Sequence, residues 1–452
     1  MHWSLFKREN SLKFLFEEID NAPLVVFRIL FGALIFLESV GAIFTGWIKK
    51  TLIEPEFTFS FIGFEWLQPL PGNGMYFYYA IMGIFGLLVM LGYRYRLSMV
   101  VFGIMWTATY LMQKASYNNH YYLLILICLI MCLLPANKYL SADVKRNPAL
   151  QSYTMPRWCS LLIIFQLWIV YTYAAVAKIY PDWLDTTAIE TLMASRTSYP
   201  VIGEFLGNKT LHYFIAYTGI FFDLLVVPLL LWKPTRNLMF IASIVFHVFN
   251  SIVFQIGIFP FLSLAFIVFF YPPETIRRIF LKNKKPLNTE AVILKIPSKK
   301  NVYLILAAFY FLIQIGLPLR HWFIKDDVLW TEEGHRMSWR MMLRTKGGYI
   351  SFKTVDKKTG KITHISPRDF LSPKQAGMIT SKPDVIWQFV QRLKKQALAD
   401  GKDLAIYAVG KIRVNGGPLK TLIDPDVDLA TVKWSHFSHH DWILPSSPIE
   451  KD

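Results

Sequence analysis

Disulfide-forming cysteine is what this chain most plainly lacks. Its three cysteines, Cys128, Cys132 and Cys159, all lie inside apolar runs. That excludes an extracytoplasmic disulfide framework and leaves the thiols as core packing. Charge is scarce too. Asp, Glu, Lys and Arg make up 17% of the 452 residues, against roughly 25% in an ordinary soluble globular chain. No CxxC occurs, and His439 and His440 are adjacent rather than spaced as ligands, so no metal is expected. A glycine-rich phosphate loop and a serine nucleophile elbow are also missing. No secretory signal peptide is expected, because the first apolar run starts only at Pro23 and is too long for one.

What is there is apolar. Hydrophobic residues make up 54% and aromatics 16%, and the mean hydropathy is +0.36. Runs of spanning or near-spanning length fall at about 23–46, 75–92, 97–113, 120–136, 158–177, 211–232, 238–254, 256–271 and 302–318. The last two of the 238–271 stretch touch without a polar loop, so Ile256-Gly257 is expected to form a tight turn. The tail from about 325 changes character. Alternating runs such as Tyr349–Lys353 and Leu404–Val409 read as strands, and Pro383 to Ala399 reads as an amphipathic helix. The fold class expected is an all-α polytopic membrane bundle of about nine transmembrane helices with a C-terminal extracytoplasmic α+β domain. The division falls between residues 1–324 and 325–452.

The net charge of +17 is accounted for by basic cytoplasmic loops, or by a positive surface that draws acidic substrates. It is not read as a nucleic-acid surface. With the N-terminus cytoplasmic, the inner loops hold most of the basic residues, densest at Arg277, Arg278, Lys282, Lys284 and Lys285. The outer loops hold only Lys49, Lys50, Lys114, Lys178, Arg196 and Lys209. Lys114, His120, Lys178 and the whole tail are therefore expected on the extracytoplasmic side.

Ionisable residues inside apolar runs are candidate functional residues. Lys178 ends the run that starts near Trp158. It either snorkels to water or is held in a dry pocket, where it becomes a base. Arg28 and Glu38 stand ten residues, about 15 Å, apart on the first span, so each needs a partner on another helix. Asp223 is a natural partner for Arg28 or Lys178. His247, Asn250 and Gln255 form a polar set at the outer end of the seventh run. Asn118-Asn119-His120 opens the fourth, beside Tyr117, Tyr121 and Tyr122. The two sets are expected to share one site with Lys178. In the tail, Arg336, Arg340, Arg344 and Lys346 are expected to draw an acidic strand.

Seven blocks, in order, carry a resemblance. They are Phe27-Arg28-Ile29-Leu30-Phe31-Gly32, Lys114 to Leu123, Val176 to Trp183, Phe246-His247-Val248-Phe249-Asn250-Ser251 with Gly257-Ile258-Phe259, Ser338-Trp339-Arg340-Met341-Met342, Asp424-Pro425-Asp426-Val427-Asp428, and Trp434-Ser435-His436-Phe437. Together they resemble the vitamin K-dependent γ-glutamyl carboxylase family, including bacterial members with the horizontally transferred transmembrane domain. The resemblance spans nearly the whole chain. It implies that Lys178 is the base that deprotonates reduced vitamin K (phylloquinol or menaquinol), with Asn119 and His120 beside it. Oxygen then adds to give a strongly basic alkoxide, which removes a glutamate γ-hydrogen. The carbanion captures CO2 and the quinone leaves as its epoxide. His247, Asn250, Gln255 and Arg28 are expected around the quinol. Trp339, Arg340 and Arg336 are expected to face a glutamate-containing peptide or protein, with membrane lipid as surroundings and a bacterial inner membrane as location. Vertebrate members carry a second lysine just before the base, where this chain has Ala177. Two further readings stay open: a quinol epoxidase without carboxylation, and a non-catalytic quinone- or lipid-binding membrane module.

Overall fold

The computed structural model describes residues 8–200, 203–287 and 296–447. The apolar runs become helices. In order, these are α1 (Ala22–Phe44), α2 (Gly74–Leu91), α3 (Tyr95–Met112), α4 (Asn119–Leu133), α5 (Trp158–Val176), α6 (Lys209–Leu231), α7 (Arg236–Phe254), α8 (Phe259–Ala265), α9 (Pro273–Phe280) and α10 (Lys300–Leu319). Among the described residues six are long and apolar enough to cross a membrane. A seventh is added if the pair Phe259–Phe269 and Pro273–Phe280, bent by 117°, counts as one span. The expected nine is thus too fine a count. Run length does not separate a crossing helix from α4, which has only 15 residues, or from a run broken in its middle. The protein is nonetheless an integral membrane protein by the length and composition of these helices.

Two local features set the bundle's geometry. α1 and α2 touch backbone to backbone. A Cβ on Gly32 would stand 2.3 Å from the Met90 amide nitrogen, and one on Gly86 2.9 Å from that of Phe36. Small residues at such a crossing let dispersion contacts replace the hydrophobic drive that lipid does not supply. At the end of α7, Gln255 and Gly257 both take left-handed backbone, with φ of 52° and 56°. This is the expected tight reversal into α8, and it orients Gln255 away from the helix it follows.

Arg28 is fully buried in α1, where its Nη2 donates to the Leu140 carbonyl at 2.6 Å. Leu140 follows the far end of α4 from His120, about 22 Å along a 15-residue helix. Arg28 is therefore a helix-to-loop tie at the opposite end of the bundle and not part of the pocket described below.

The tail folds as expected around a sheet. Strands β1 (Lys346–Asp356), β2 (Ile362–Ile365), β3 (Leu404–Val414) and β4 (Lys420–Thr421) run antiparallel in the order β2-β1-β3-β4. α11 (Pro373–Ile379) and α12 (Pro383–Ala399) cover it. The apolar face of α12, including Val385, Ile386, Phe389 and Val390, packs on Phe352 and Ile406. This region sits on the loops of the bundle. Gln375 and Gln388 donate to the carbonyls of Phe57 and Ser60, and Lys374 to the Ser116 hydroxyl.

The tie between the two parts is Asp384, in the first turn of α12. It takes Lys114 Nζ and Arg336 Nη1, each at 2.5 Å, with all three side chains largely buried. Burial pushes the Asp384 carboxyl up, but Arg336 and Lys114 outweigh it and hold it below the ordinary carboxylate range. Arg336 is thus committed to an internal pair, which corrects the expectation that it faces a peptide. Asp384→Asn leaves two buried cations short of a counter-charge, and a loss of about 3–5 kcal/mol is expected, read as a lower unfolding temperature. The wild-type contribution is complete above the unfolded carboxylate value near ~4. It is lost as pH falls through the lower folded value, and the Asn variant should lack that acid dependence.

Candidate functional site

α5 carries Lys178 to the cavity. The helix runs out at Val176, and Lys178 Nζ turns back to the Ala174 carbonyl at 3.1 Å. Its other partner is Asp223 on α6, with Nζ and Oδ2 2.5 Å apart. Lys178 is only 8% exposed and Asp223 5%. The lysine stem runs over Gly219, where an added Cβ would meet its Cε at 3.7 Å. The ammonium lies 5.7 Å from the Trp183 ring centre. Lys178 does not snorkel.

A cavity of about 520 Å3 opens beside this pair. Its walls are chiefly apolar, with Trp183, Phe222, Phe246 and Phe259 among them. Lys178, Asp223, His120, Tyr171, Thr218 and Asn250 supply the polar atoms, and Met341 and Met342 from the segment before the sheet close one side. Asp223, foreseen as a partner for Arg28 or Lys178, pairs with Lys178, so the amine is half of a lysine–carboxylate pair. Such a pair holds one shared proton, either as ammonium and carboxylate or as amine and carboxylic acid.

His120 reaches the cavity through helix capping. Asn118 Oδ1 accepts the Tyr121 backbone N–H at 2.7 Å and starts α4, which sets His120 in the first turn. The imidazole stacks on Phe259 with ring centres 4.0 Å apart. A helix N-terminus favours negative charge next to it. Asn119 lies one position back and does not line the cavity. Its Oδ1 accepts from the Tyr117 hydroxyl at 2.8 Å and its Nδ2 donates to the Arg340 carbonyl at 3.2 Å. Asn119 thereby fastens the His120 turn to the segment that carries Met341.

The outer polar set divides. Asn250 lines the cavity. His247 stands behind it, and its Nε2 is 3.3 Å from the hydroxyl of Tyr171, which does line the wall. Gln255, exposed after its left-handed turn, bonds the Tyr199 hydroxyl at 3.3 Å and stays outside. Tyr171 was not singled out in the sequence. Its signal was there: it precedes Lys178 by seven residues, two helical turns, and so shares its face.

In the strap from Glu332 to Leu343, Met337, Trp339 and Met342 have left-handed backbone, with φ of 58°, 58° and 52°. Trp339 is buried against Tyr122, ring centres 5.1 Å apart, so it is core rather than a peptide-facing ring. Arg344 and Lys346 are both taken by Glu332. Arg340 is different. Among the described residues no carboxylate pairs with it, and its Nη1 lies 3.3 Å from His321 Nε2. Burial, then the Arg344 charge, pushes its guanidinium down to about 10, so it stays cationic at neutral pH.

The bundle thus holds a buried lysine–carboxylate pair in the wall of an apolar cavity that the segment before the sheet closes on one side. The model of the HTTM domain matches residues 16–274, and that of the vitamin K-dependent gamma-carboxylase lumenal domain matches residues 299–448. The chain belongs to the vitamin K-dependent gamma-glutamyl carboxylase family. No solved structure matches it. Among the described residues no group of three or more potential metal ligands occurs.

Proposed function

We propose that this protein oxygenates reduced vitamin K to its epoxide and couples the reaction to carboxylation of a peptide glutamate, giving γ-carboxyglutamate. The observation that carries the reading is the Lys178–Asp223 pair, buried in the wall of an otherwise apolar cavity of about 520 Å3. A flat hydrophobic ring with ionisable hydroxyls and an apolar tail fits that combination. Reduced vitamin K and oxygen supply the strong base that no side chain can, and CO2 is the group added.

The chain's own residues do four things. The lysine–carboxylate pair takes up one proton, ending as Lys178 ammonium and Asp223 carboxylic acid from either starting placement. His120, in the first turn of α4, donates a hydrogen bond toward developing negative charge. Phe222, Phe246, Phe259 and Trp183 keep water out. Arg340, next to Met341 of the cavity wall, holds the peptide carboxylate. In this reading residues 1–324 form the quinol-binding transmembrane part and 325–452 an extracytoplasmic peptide-facing part, in a bacterial inner membrane. The loop charges support that orientation.

One observation favours epoxidation without carboxylation. Arg336, Arg344 and Lys346 are spent on internal carboxylates, which leaves Arg340 of the four cations expected to meet an acidic peptide. A single assay separates the readings: purified protein, reduced vitamin K, labelled CO2 and a short glutamate peptide. Epoxide together with label in the peptide is expected. Epoxide alone reduces the function to quinol oxidation. Neither product overturns the proposal in favour of a binding module.

A further inference from the structure

Glu38 has a place the reaction does not use. It lies on α1 six residues before the helix end, about 9 Å along the axis. Its Oε1 accepts from the Tyr121 hydroxyl at 2.8 Å, and no lysine, arginine or histidine among the described residues pairs with it. Beside it is a second cavity, of about 170 Å3, separate from the Lys178 site. Four aromatic rings wall it. Trp106 meets Tyr121 edge-on with centres 5.0 Å apart, and Trp47 and Tyr79 are 5.9 Å apart. Neighbouring α1 side chains face the bilayer, with Leu37 60% and Phe44 83% exposed.

A carboxylate at this depth without a counter-charge is costly. Tryptophan and tyrosine faces attract a cation, most strongly where water is excluded. A metal ion would find one carboxylate and few other oxygens here, whereas an organic ammonium finds both its charge and its apolar flanks matched. The cavity continues from Glu38 to Thr45 and Trp47, the level at which tryptophan marks the membrane interface. We propose that this cavity binds the ammonium headgroup of a membrane lipid, with Glu38 as its counter-ion.

Native mass spectrometry in maltoside detergent, with equimolar phosphatidylethanolamine and phosphatidylglycerol, tests this. Wild-type protein should retain one amine lipid with about tenfold preference, the size expected of one desolvated cation–aromatic contact. Glu38→Gln should reduce the preference to within about twofold. Gly41→Leu is the second variant. A Cβ at Gly41 meets nothing within 4 Å, so leucine projects into the cavity without disturbing the helix. It should abolish retention while the unfolding temperature holds. Equal retention of both lipids by wild type, or an unchanged preference in Glu38→Gln, overturns the proposal. So does binding of lysine amide that Glu38→Gln removes while neither lipid is retained, which would assign the cavity to a protein side chain.

Discussion

Lys178→Ala should abolish both epoxide formation and peptide carboxylation, with turnover of reduced vitamin K falling by at least ~10²-fold, the lower end of what a positioned base contributes. The loss should lie in the chemical step, because the substitution leaves the cavity's apolar walls untouched. Removing the amine leaves Asp223 without its ionic partner among the described residues, so folding must be checked by unfolding temperature. Lys178→Met keeps the stem over Gly219 and should fold while remaining inactive. Epoxidation at the wild-type rate by either variant removes Lys178 from the reaction.

Asp223→Asn should lower the epoxidation rate by about 10²-fold, because the amide cannot share in the proton uptake proposed for the Lys178–Asp223 pair. Asp223→Glu should recover part of that loss. An unchanged rate in Asp223→Asn would take the carboxylate out of the reaction, while leaving the Lys178 result intact.

Much of this arrangement was legible because the signals were local. The helix Pro383–Ala399 appeared where a proline start and an apolar stripe place it. Lys178 stood out as the one charge closing a helical apolar run, and His120 and Asn250 sit within blocks that bring them to the same cavity. What was not legible depended on where a side chain turns after its helix ends. Gln255 follows Asn250 at near-helical spacing, yet a left-handed residue sends it to Tyr199. Arg336 looked like part of a basic surface until Asp384, 48 residues on, is seen to take it. Spacing along the chain carries no information about that partner. The span count failed for a related reason: hydropathy records that a helix is apolar, not whether lipid or protein surrounds it.

The roof of the Lys178 cavity comes from beyond the last long helix. Met341 and Met342 form it, and the Tyr117 hydroxyl and Asn119 amide clasp the Met337 amide and the Arg340 carbonyl from below. A bundle trimmed after α10 would be uncovered on that side and would lose the brace on the turn that presents His120. The cover of the cavity and the turn that presents His120 are thus held by the same few backbone atoms, those of Met337 and Arg340.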